Sequence, residues 1–176
     1  MDPAGLCSVL RQICLTEVAG YATLSTMDAI IFIGIQASGK SEFYKQRFVD
    51  THIRINLDML KTRRREEIIV DACIAAKQPF VVDNTNPAKK DRKRYIDKAK
   101  PAGFKTIGYY FRSSVQESME RNKKRNAAER VPDAAIKATA AKLELPGFDE
   151  GFDELYYVRI GDDGAFVIEE YRDDEI

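Results

Sequence analysis

The chain has 176 residues, which is enough for one compact α/β domain with a continuous core and too few for two full domains and a linker. Hydrophobic residues make up 44% of it and charged residues 32%, with 28 basic and 28 acidic side chains, as is typical of soluble cytoplasmic proteins. The cysteines and the single histidine lack metal-ligand spacing, and no apolar run approaches the roughly 18 residues that span a bilayer. A zinc site, a disulfide framework, a membrane span and a secretory signal are therefore not expected.

The composition of the chain changes at Met27. Residues 1–26 contain only three charged side chains, whereas the sequence that follows is densely charged and regular. We therefore predict one domain at residues 27–176, preceded by an extension at residues 1–26. That extension is expected to be either a short amphipathic helix with a linker or the product of a start site assigned too far upstream.

Beyond Met27, short apolar runs alternate with segments of helical periodicity. In chain order the predicted elements are strand 29–34, helix 39–50, strand 53–57, helix 62–77, strand 80–83, helix 87–100, strand 105–111, helices 114–125 and 133–142, and strand 155–160. Such alternation is typical of repeated βαβ units and predicts an α/β fold with a mostly parallel sheet and helices on both faces. A Gly-Asp-Asp-Gly turn at 161–164 between two apolar runs predicts a C-terminal hairpin.

The first predicted strand leads into a loop that matches the pattern G-x-x-x-x-G-K-[ST]. The loop consists of Gly34, Ile35, Gln36, Ala37, Ser38, Gly39, Lys40 and Ser41. Glycines let the backbone of such a loop curl so that its N–H groups face phosphate oxygens. Lys40 is expected to bridge the β- and γ-phosphates of ATP, and the Ser41 hydroxyl to bind Mg²⁺. The loop therefore predicts a P-loop NTPase-type fold with ATP and Mg²⁺ as cofactors.

Asp58 follows the second predicted strand, at the sheet edge where open α/β folds build their sites. A carboxylate there can take a proton from an acceptor hydroxyl. Aspartate is also a common helix N-cap, so capping of a helix that starts near Met59 is an equal alternative.

Asp83 closes the third apolar run and is followed by Asn84, Thr85 and Asn86. An acid at this point is typical of the strand that supports Mg²⁺ in P-loop proteins, so Ser41 and Asp83 are the predicted metal ligands. The same polar cluster can cap the helix that begins near residue 87, and this role is compatible with metal binding.

Basic residues gather in three stretches of the chain. Those at 63–65 and 89–94 are interpreted as solvent-exposed helix faces. Arg121 and Arg125 are four residues apart on one helical face, ahead of a helix break at 126–129. Because a planar guanidinium binds phosphate bidentately, we predict that this third stretch is a lid whose arginines close over the triphosphate.

Several separate segments together resemble one known family. They are the phosphate loop, residues 56–61 and 83–86, residues 121–125 with 131–132, and residues 145–146 with 150–153. Over residues 29–158 the chain resembles the kinase domain of 5′-hydroxyl polynucleotide kinases, of the phage, bacterial and animal polynucleotide kinase-phosphatase type. The resemblance implies that Asp58 is the general base, that Arg125 is the lid arginine, and that Lys61, Asn84 and Asn86 contact a nucleic-acid acceptor.

The sequence departs from the family pattern at the acceptor site. The family usually has Arg three residues after the base, where it engages the acceptor's phosphate, and this sequence has Lys61, which lacks the bidentate fork. The chain also has no Asp-x-Asp-x-Thr phosphatase motif and no ligase module. In an end-healing kinase of this kind, the phosphatase must come from another chain.

Three functions follow from these observations. Transfer of the γ-phosphate to a polynucleotide 5′-OH is the leading hypothesis. A small-molecule kinase on the same core is the second, including relatives of the zeta-toxin type that act on nucleotide sugars, and a non-catalytic ATP-binding switch is the third. A polynucleotide requires a basic path with stacking aromatics, whereas a metabolite requires a closed pocket.

Overall fold

A computed structural model of the protein describes residues 27–172. Its strands are Asp28–Ile33 (β1), Ile53–Ile55 (β2), Phe80–Val82 (β3), Lys105–Phe111 (β4), Glu154–Ile160 (β5) and Phe166–Glu170 (β6). Its α-helices are Lys40–Arg47 (α1), Leu57–Leu60 (α2), Arg63–Ala75 (α3), Lys89–Ala99 (α4), Val115–Lys123 (α5) and Asp133–Ala140 (α6). Short 3-10 turns cover Ala127–Glu129 and Phe148–Glu150. The predictions for residues 1–26 lie outside the described residues.

The six strands form one sheet in the order β2-β3-β1-β4-β5-β6. The first five are parallel to one another, and β6 pairs antiparallel with β5. The turn between β5 and β6 is closed by the N–H of Gly161, which donates to the carbonyl of Ala165 at 2.8 Å. The predicted parallel sheet and the predicted C-terminal hairpin are both confirmed.

The central strand β1 is buried on both faces of the sheet. Ile31 packs with Val70 of α3 and Tyr95 of α4 in one cluster, while Phe32 packs with Phe43 of α1 in a second cluster on the other face. Burial on both sides explains why β1 is a continuous apolar run without alternation. It also confirms the prediction of helices on both faces. Within residues 27–172, no helix is long and apolar enough to cross a membrane.

A helix of four residues replaces the end of the second predicted strand. The strand predicted at 53–57 ends at Ile55, and Asn56 then caps α2 with a side chain that accepts a hydrogen bond from the N–H of Met59 at 3.1 Å. Four residues are shorter than the window in which helical periodicity becomes visible. The series of predicted helices therefore lacks α2, and a helix near Met59 was expected only as part of the capping alternative for Asp58. The longer helices are confirmed with ends that shift by a few residues.

Arg92 lies in the stretch predicted to be a solvent-exposed face, but its side chain is fully buried. Its Nε and Nη2 donate to the two carboxylate oxygens of Glu150 at 2.6 and 2.7 Å. Its Nη1 donates to the carbonyl oxygens of Asn86, Pro87 and Glu144. The exposed-face prediction is therefore wrong for Arg92, which fastens the start of α4 to the segment that precedes β5.

We expect Arg92→Ala to lower the free energy of unfolding by about 3 kcal/mol, because Glu150 would keep a buried charge without its partner. Urea unfolding followed by circular dichroism measures this change. Lys93→Ala is the matched control, since it breaks an exposed ion pair with Asp97 on the same helix and such pairs contribute about 0.5 kcal/mol or less. Equal stability of the two variants would contradict a structural role for the buried pair.

Candidate active site

The loop between β1 and α1 has the backbone conformation that its glycines allow. Gly34 and Gly39 have φ angles of 148° and 103°, where a side chain is strained. A Cβ at Gly34 would lie 3.2 Å from the carbonyl oxygen of Phe111, and one at Gly39 would lie 3.0 Å from the Phe166 ring. Gly39 directly precedes α1, so the positive end of that helix faces the loop. The loop is therefore built to hold an anion.

Lys40, the first residue of α1, turns its ammonium group back into the loop. Its Nζ donates to the carbonyl of Gly34 at 3.0 Å, to the carbonyl of Ile35, and to the hydroxyl of Ser38 at 3.1 Å. Burial lowers the pKa of Lys40 to about 8, against the attraction of Asp83, which raises it. A phosphate group in the loop would offer this ammonium a stronger acceptor than the neutral carbonyls.

The two predicted metal ligands lie in direct contact. The Ser41 hydroxyl donates to Oδ2 of Asp83 at 2.9 Å. Arg54 of β2 joins them, because its Nε donates to Oδ2 of Asp83 and its Nη2 to the Ser41 hydroxyl, both at 2.9 Å. Sequence reasoning missed Arg54, since only the parallel pairing of β2 with β3 brings it beside Asp83.

A hydroxyl and a buried carboxylate fit the way in which Mg²⁺ is held in P-loop proteins. Mg²⁺ keeps several waters and takes one or two protein oxygens together with substrate phosphates. Among residues 27–172, no group of three or more His, Cys, Asp and Glu side chains could hold a metal ion. Ser41 and Asp83 would therefore hold Mg²⁺ only together with phosphate oxygens and water.

The geometry of α2 tests one of the two roles left open for Asp58, that of a helix N-cap. Asn56 is the N-cap of this helix, and Asp58 lies in its first turn with an exposed side chain. The capping alternative is therefore wrong. Asp58 lines the cavity that also contains Lys40 and Arg125, which places its carboxylate beside the phosphate loop.

A network of hydrogen-bonded polar side chains stabilises α2 through the backbone of its first turn. The Asn84 side chain accepts a hydrogen bond from the N–H of Leu57 at 2.8 Å and donates to Oε1 of Glu66 at 2.6 Å. Glu66 is buried, accepts from Arg63 at 2.7 Å, and lies beside Tyr95, whose pKa is raised to about 12 chiefly by burial. The sequence did not mark Glu66 and Tyr95 as site residues. Both lie on helix faces that pack against the core, and their polar contacts form only when the chain is folded.

The other two predicted acceptor contacts occupy different places. Asn86 is buried, and its amide donates to the carbonyl of Phe32 at 2.8 Å, although the residue lines a second cavity beside the loop. Lys61 follows α2 in a left-handed conformation with φ of 68° and is exposed. Lys61 is not among the described residues that line this second cavity, whereas Arg63 is.

The two arginines predicted to form a lid, Arg121 and Arg125, lie on either side of the C-terminal end of α5. Arg121 is in α5, and its Nε donates to the carbonyl of Ala37 at 2.8 Å, which ties the helix to the phosphate loop. Arg125 follows the end of α5 and lines the cavity with Lys40. Gln36 makes a further link, because its Nε2 donates to the hydroxyl of Thr139 in α6 at 2.9 Å.

Two adjoining cavities meet at Asp58. The cavity at the phosphate loop, of about 100 Å³, is lined by that loop, Asp83 and Arg125, and the second cavity, of about 220 Å³, is lined by Arg63. We call the second the acceptor cavity, after the role proposed for it below. Both are lined by Asp58, Asn84 and three further residues, Gln36, Thr85 and Val131. A carboxylate at the junction of two cavities can accept a proton from a group in one while phosphate is transferred from the other.

The parallel sheet and the phosphate loop define a P-loop nucleotide-binding protein. The chain belongs to the AAA domain family, whose model matches residues 30–146. It is 26% identical over 129 residues to a bifunctional polynucleotide phosphatase/kinase of Schizosaccharomyces pombe, an alignment that covers 71% of this chain and 32% of that protein. The chain thus spans about a third of the length of this relative. The resemblance to polynucleotide kinase-phosphatases is confirmed.

Two solved structures share the fold. A gluconokinase from Sinorhizobium meliloti 1021 superposes with a TM-score of 0.55 at 18% identity, over 77% of this chain and 84% of that one. The structure of the Pnkp1/Rnl/Hen1 RNA repair complex superposes with a TM-score of 0.57 at 19% identity, over 84% of this chain and 50% of that one. The predicted P-loop kinase fold agrees with both.

The lowered pKa of Lys40 predicts how ATP affinity depends on pH. A buried lysine with a pKa of about 8 is mostly protonated at pH 7 and mostly neutral at pH 9. Phosphate binds the charged form, so the Kd for ATP is expected to rise about tenfold from pH 7 to pH 9. Calorimetric titration with ATP across this range measures the change, and the weaker binding of Lys40→Ala should lack it. A flat wild-type profile would show that Lys40 remains charged throughout.

Proposed function

We propose that this protein is an ATP-dependent kinase that transfers the γ-phosphate of ATP to the 5′-hydroxyl of a polynucleotide. The observation that carries the proposal is the position of Asp58. It lines both cavities, it lies on a helix that another residue caps, and it has no evident structural task. The name of the similar polynucleotide phosphatase/kinase supports the choice of acceptor.

Each residue of the site has its own role in the proposed phosphate transfer. Asp58 accepts the proton of the attacking hydroxyl, which enters from the acceptor cavity. Lys40 binds the terminal phosphates, and Arg125 stabilises the charge that develops on the transferred group. Mg²⁺ held by Ser41 and Asp83 would neutralise phosphate charge.

A small-molecule kinase is the second candidate, and the size of the acceptor cavity favours it. At about 220 Å³ the cavity could also take a compact metabolite, and the fold is shared with a gluconokinase. A non-catalytic switch has less support, because an exposed carboxylate beside the phosphate loop is of no use to a protein that only binds ATP.

The acceptor can be identified by offering the protein several classes of candidate acceptor molecule side by side. The protein is incubated with labelled ATP and Mg²⁺ against a 5′-OH oligonucleotide, the same oligonucleotide with a 5′-phosphate, a nucleotide sugar and gluconate. Label on the 5′-OH oligonucleotide alone is the expected result. Label on a small molecule alone would replace the polynucleotide proposal by the second candidate, and hydrolysis of ATP without any labelled product would favour the switch.

The catalytic role of Asp58 is tested by Asp58→Asn. The amide keeps the size and polarity of the side chain and removes its basicity, so kcat is expected to fall about a hundredfold or more. The melting temperature and ATP affinity should stay close to those of the wild type, since the exposed side chain holds no part of the fold. Asn56→Ala is the structural comparison, because loss of the true cap costs about 1 kcal/mol of stability. Full activity in Asp58→Asn would refute Asp58 as the base.

A further inference from the structure

A basic groove lies between α3 and α4, outside the two cavities described above. Its volume is about 270 Å³, and we call it the α3–α4 groove. Four cations line it, one from α3 and three from α4, and the three are spaced four residues apart along one face of that helix. They are Arg63, Lys90, Arg94 and Lys98.

The acids in this groove are already paired with neighbours. Glu66 accepts from Arg63 at 2.7 Å, and Lys98 donates to Glu67 at 3.2 Å and to Asp71 at 2.7 Å. Among the cations that line the groove, Lys90 and Arg94 are therefore the two that are not paired with these acids.

Lys90 and Arg94 are both exposed. The Lys90 side chain makes no hydrogen bond or ion pair with any residue from 27 to 172, and the only such contact of the Arg94 side chain within that range is a long one, 3.5 Å, to Asp91. They are one helical turn apart, about 6 Å along the axis. Two cations at this spacing, with little internal compensation, fit a ligand that carries several negative charges in a row.

Arg63 connects the groove with the acceptor cavity, because its side chain lines both. Its Nη1 donates to Glu66 at 2.7 Å and to the hydroxyl of Tyr95 at 3.1 Å. Within the described residues, these are its hydrogen bonds, so the N–H groups on Nε and Nη2 are available to a phosphate. An arginine held at one nitrogen is oriented in advance and loses less conformational freedom when it binds.

We propose that the α3–α4 groove binds the backbone phosphates of a single-stranded polynucleotide acceptor beyond its 5′ nucleotide. This proposal rests on the proposed function. Arg63 contacts the phosphate nearest the acceptor cavity, in place of Lys61, and Lys90 and Arg94 contact the phosphates that follow. Tyr95 is buried, so its ring is not available to stack on a base. The groove is therefore expected to bind the phosphates of the acceptor without regard to base identity.

The test compares Lys90→Gln/Arg94→Gln with wild-type protein on 5′-OH oligonucleotides of one to ten nucleotides. For the wild type, KM is expected to fall as the acceptor lengthens. In the double variant KM for the ten-nucleotide acceptor should rise about tenfold, since two phosphate contacts are lost. The slope of log KM against log salt should fall by about 1.4, which is about 0.7 for each lost contact to a single strand.

Lys93→Gln is the matched control. It removes one positive charge from the same helix, but Lys93 is not among the residues that line the groove. Its KM and salt slope should equal those of the wild type, and the exposed positions of all three residues predict unchanged melting temperatures.

The outcomes separate this inference from the proposed function. If the wild type phosphorylates oligonucleotides but KM does not depend on length, or the double variant behaves like Lys93→Gln, the groove proposal is overturned and the kinase proposal stands. If only small molecules are phosphorylated, both are overturned. A rise in KM with the predicted loss of salt dependence, confined to the double variant, supports the groove as the acceptor path.

Discussion

Asp83 is the point on which the geometry of the active site depends. Its backbone N–H donates to Ile55 at the end of β2, and its backbone carbonyl accepts from the side chain of Asn56. Its carboxylate accepts from Ser41 of the phosphate loop and from Arg54 of β2. One residue at the end of β3 therefore fixes the loop, the neighbouring strand and the cap of α2. Because it is almost fully buried, these bonds form in a low dielectric where losing one partner is costly.

As a consequence, Asp58 is positioned through its backbone, and its side chain makes no hydrogen bond or ion pair with any residue from 27 to 172. The side chain of Asn56 accepts a hydrogen bond from the N–H of Met59, and the side chain of Asn84 accepts one from the N–H of Leu57. These two bonds fix the first turn of α2 through its backbone. Asn84 is in turn held by the buried Glu66. A four-residue helix would not be stable alone, since helix nucleation is unfavourable. The polar network supplies that stability through the backbone of α2, and the Asp58 side chain stays exposed.

The parts of this site that could be predicted from the sequence are those with local signals. The phosphate loop has a fixed spacing, and Asp58 and Asp83 each follow an apolar strand. Arg54 could not be predicted, because its role depends on the pairing of β2 with β3. Arg92 was assigned to the surface because its partner, Glu150, is 58 residues away in the chain. The short helix α2 was expected only within the capping alternative for Asp58, because four residues carry no helical period. The sequence therefore predicted which residues with local signals line the cavity at the phosphate loop, but not the pairings made by tertiary structure.

The basic stretch at 89–94 supplies one cation to the core and others to the surface. Each residue of an α-helix turns about 100° from the last, so Lys90 and Arg94 share one face and Arg92 points away from it. The inward guanidinium of Arg92 has a buried carboxylate, Glu150, as its partner and holds the fold. Within the described residues, the side chains of Lys90 and Arg94 have no buried carboxylate as a partner. In a chain with equal numbers of acidic and basic residues, this difference in pairing, and not net charge, leaves positive charge exposed along one face of α4.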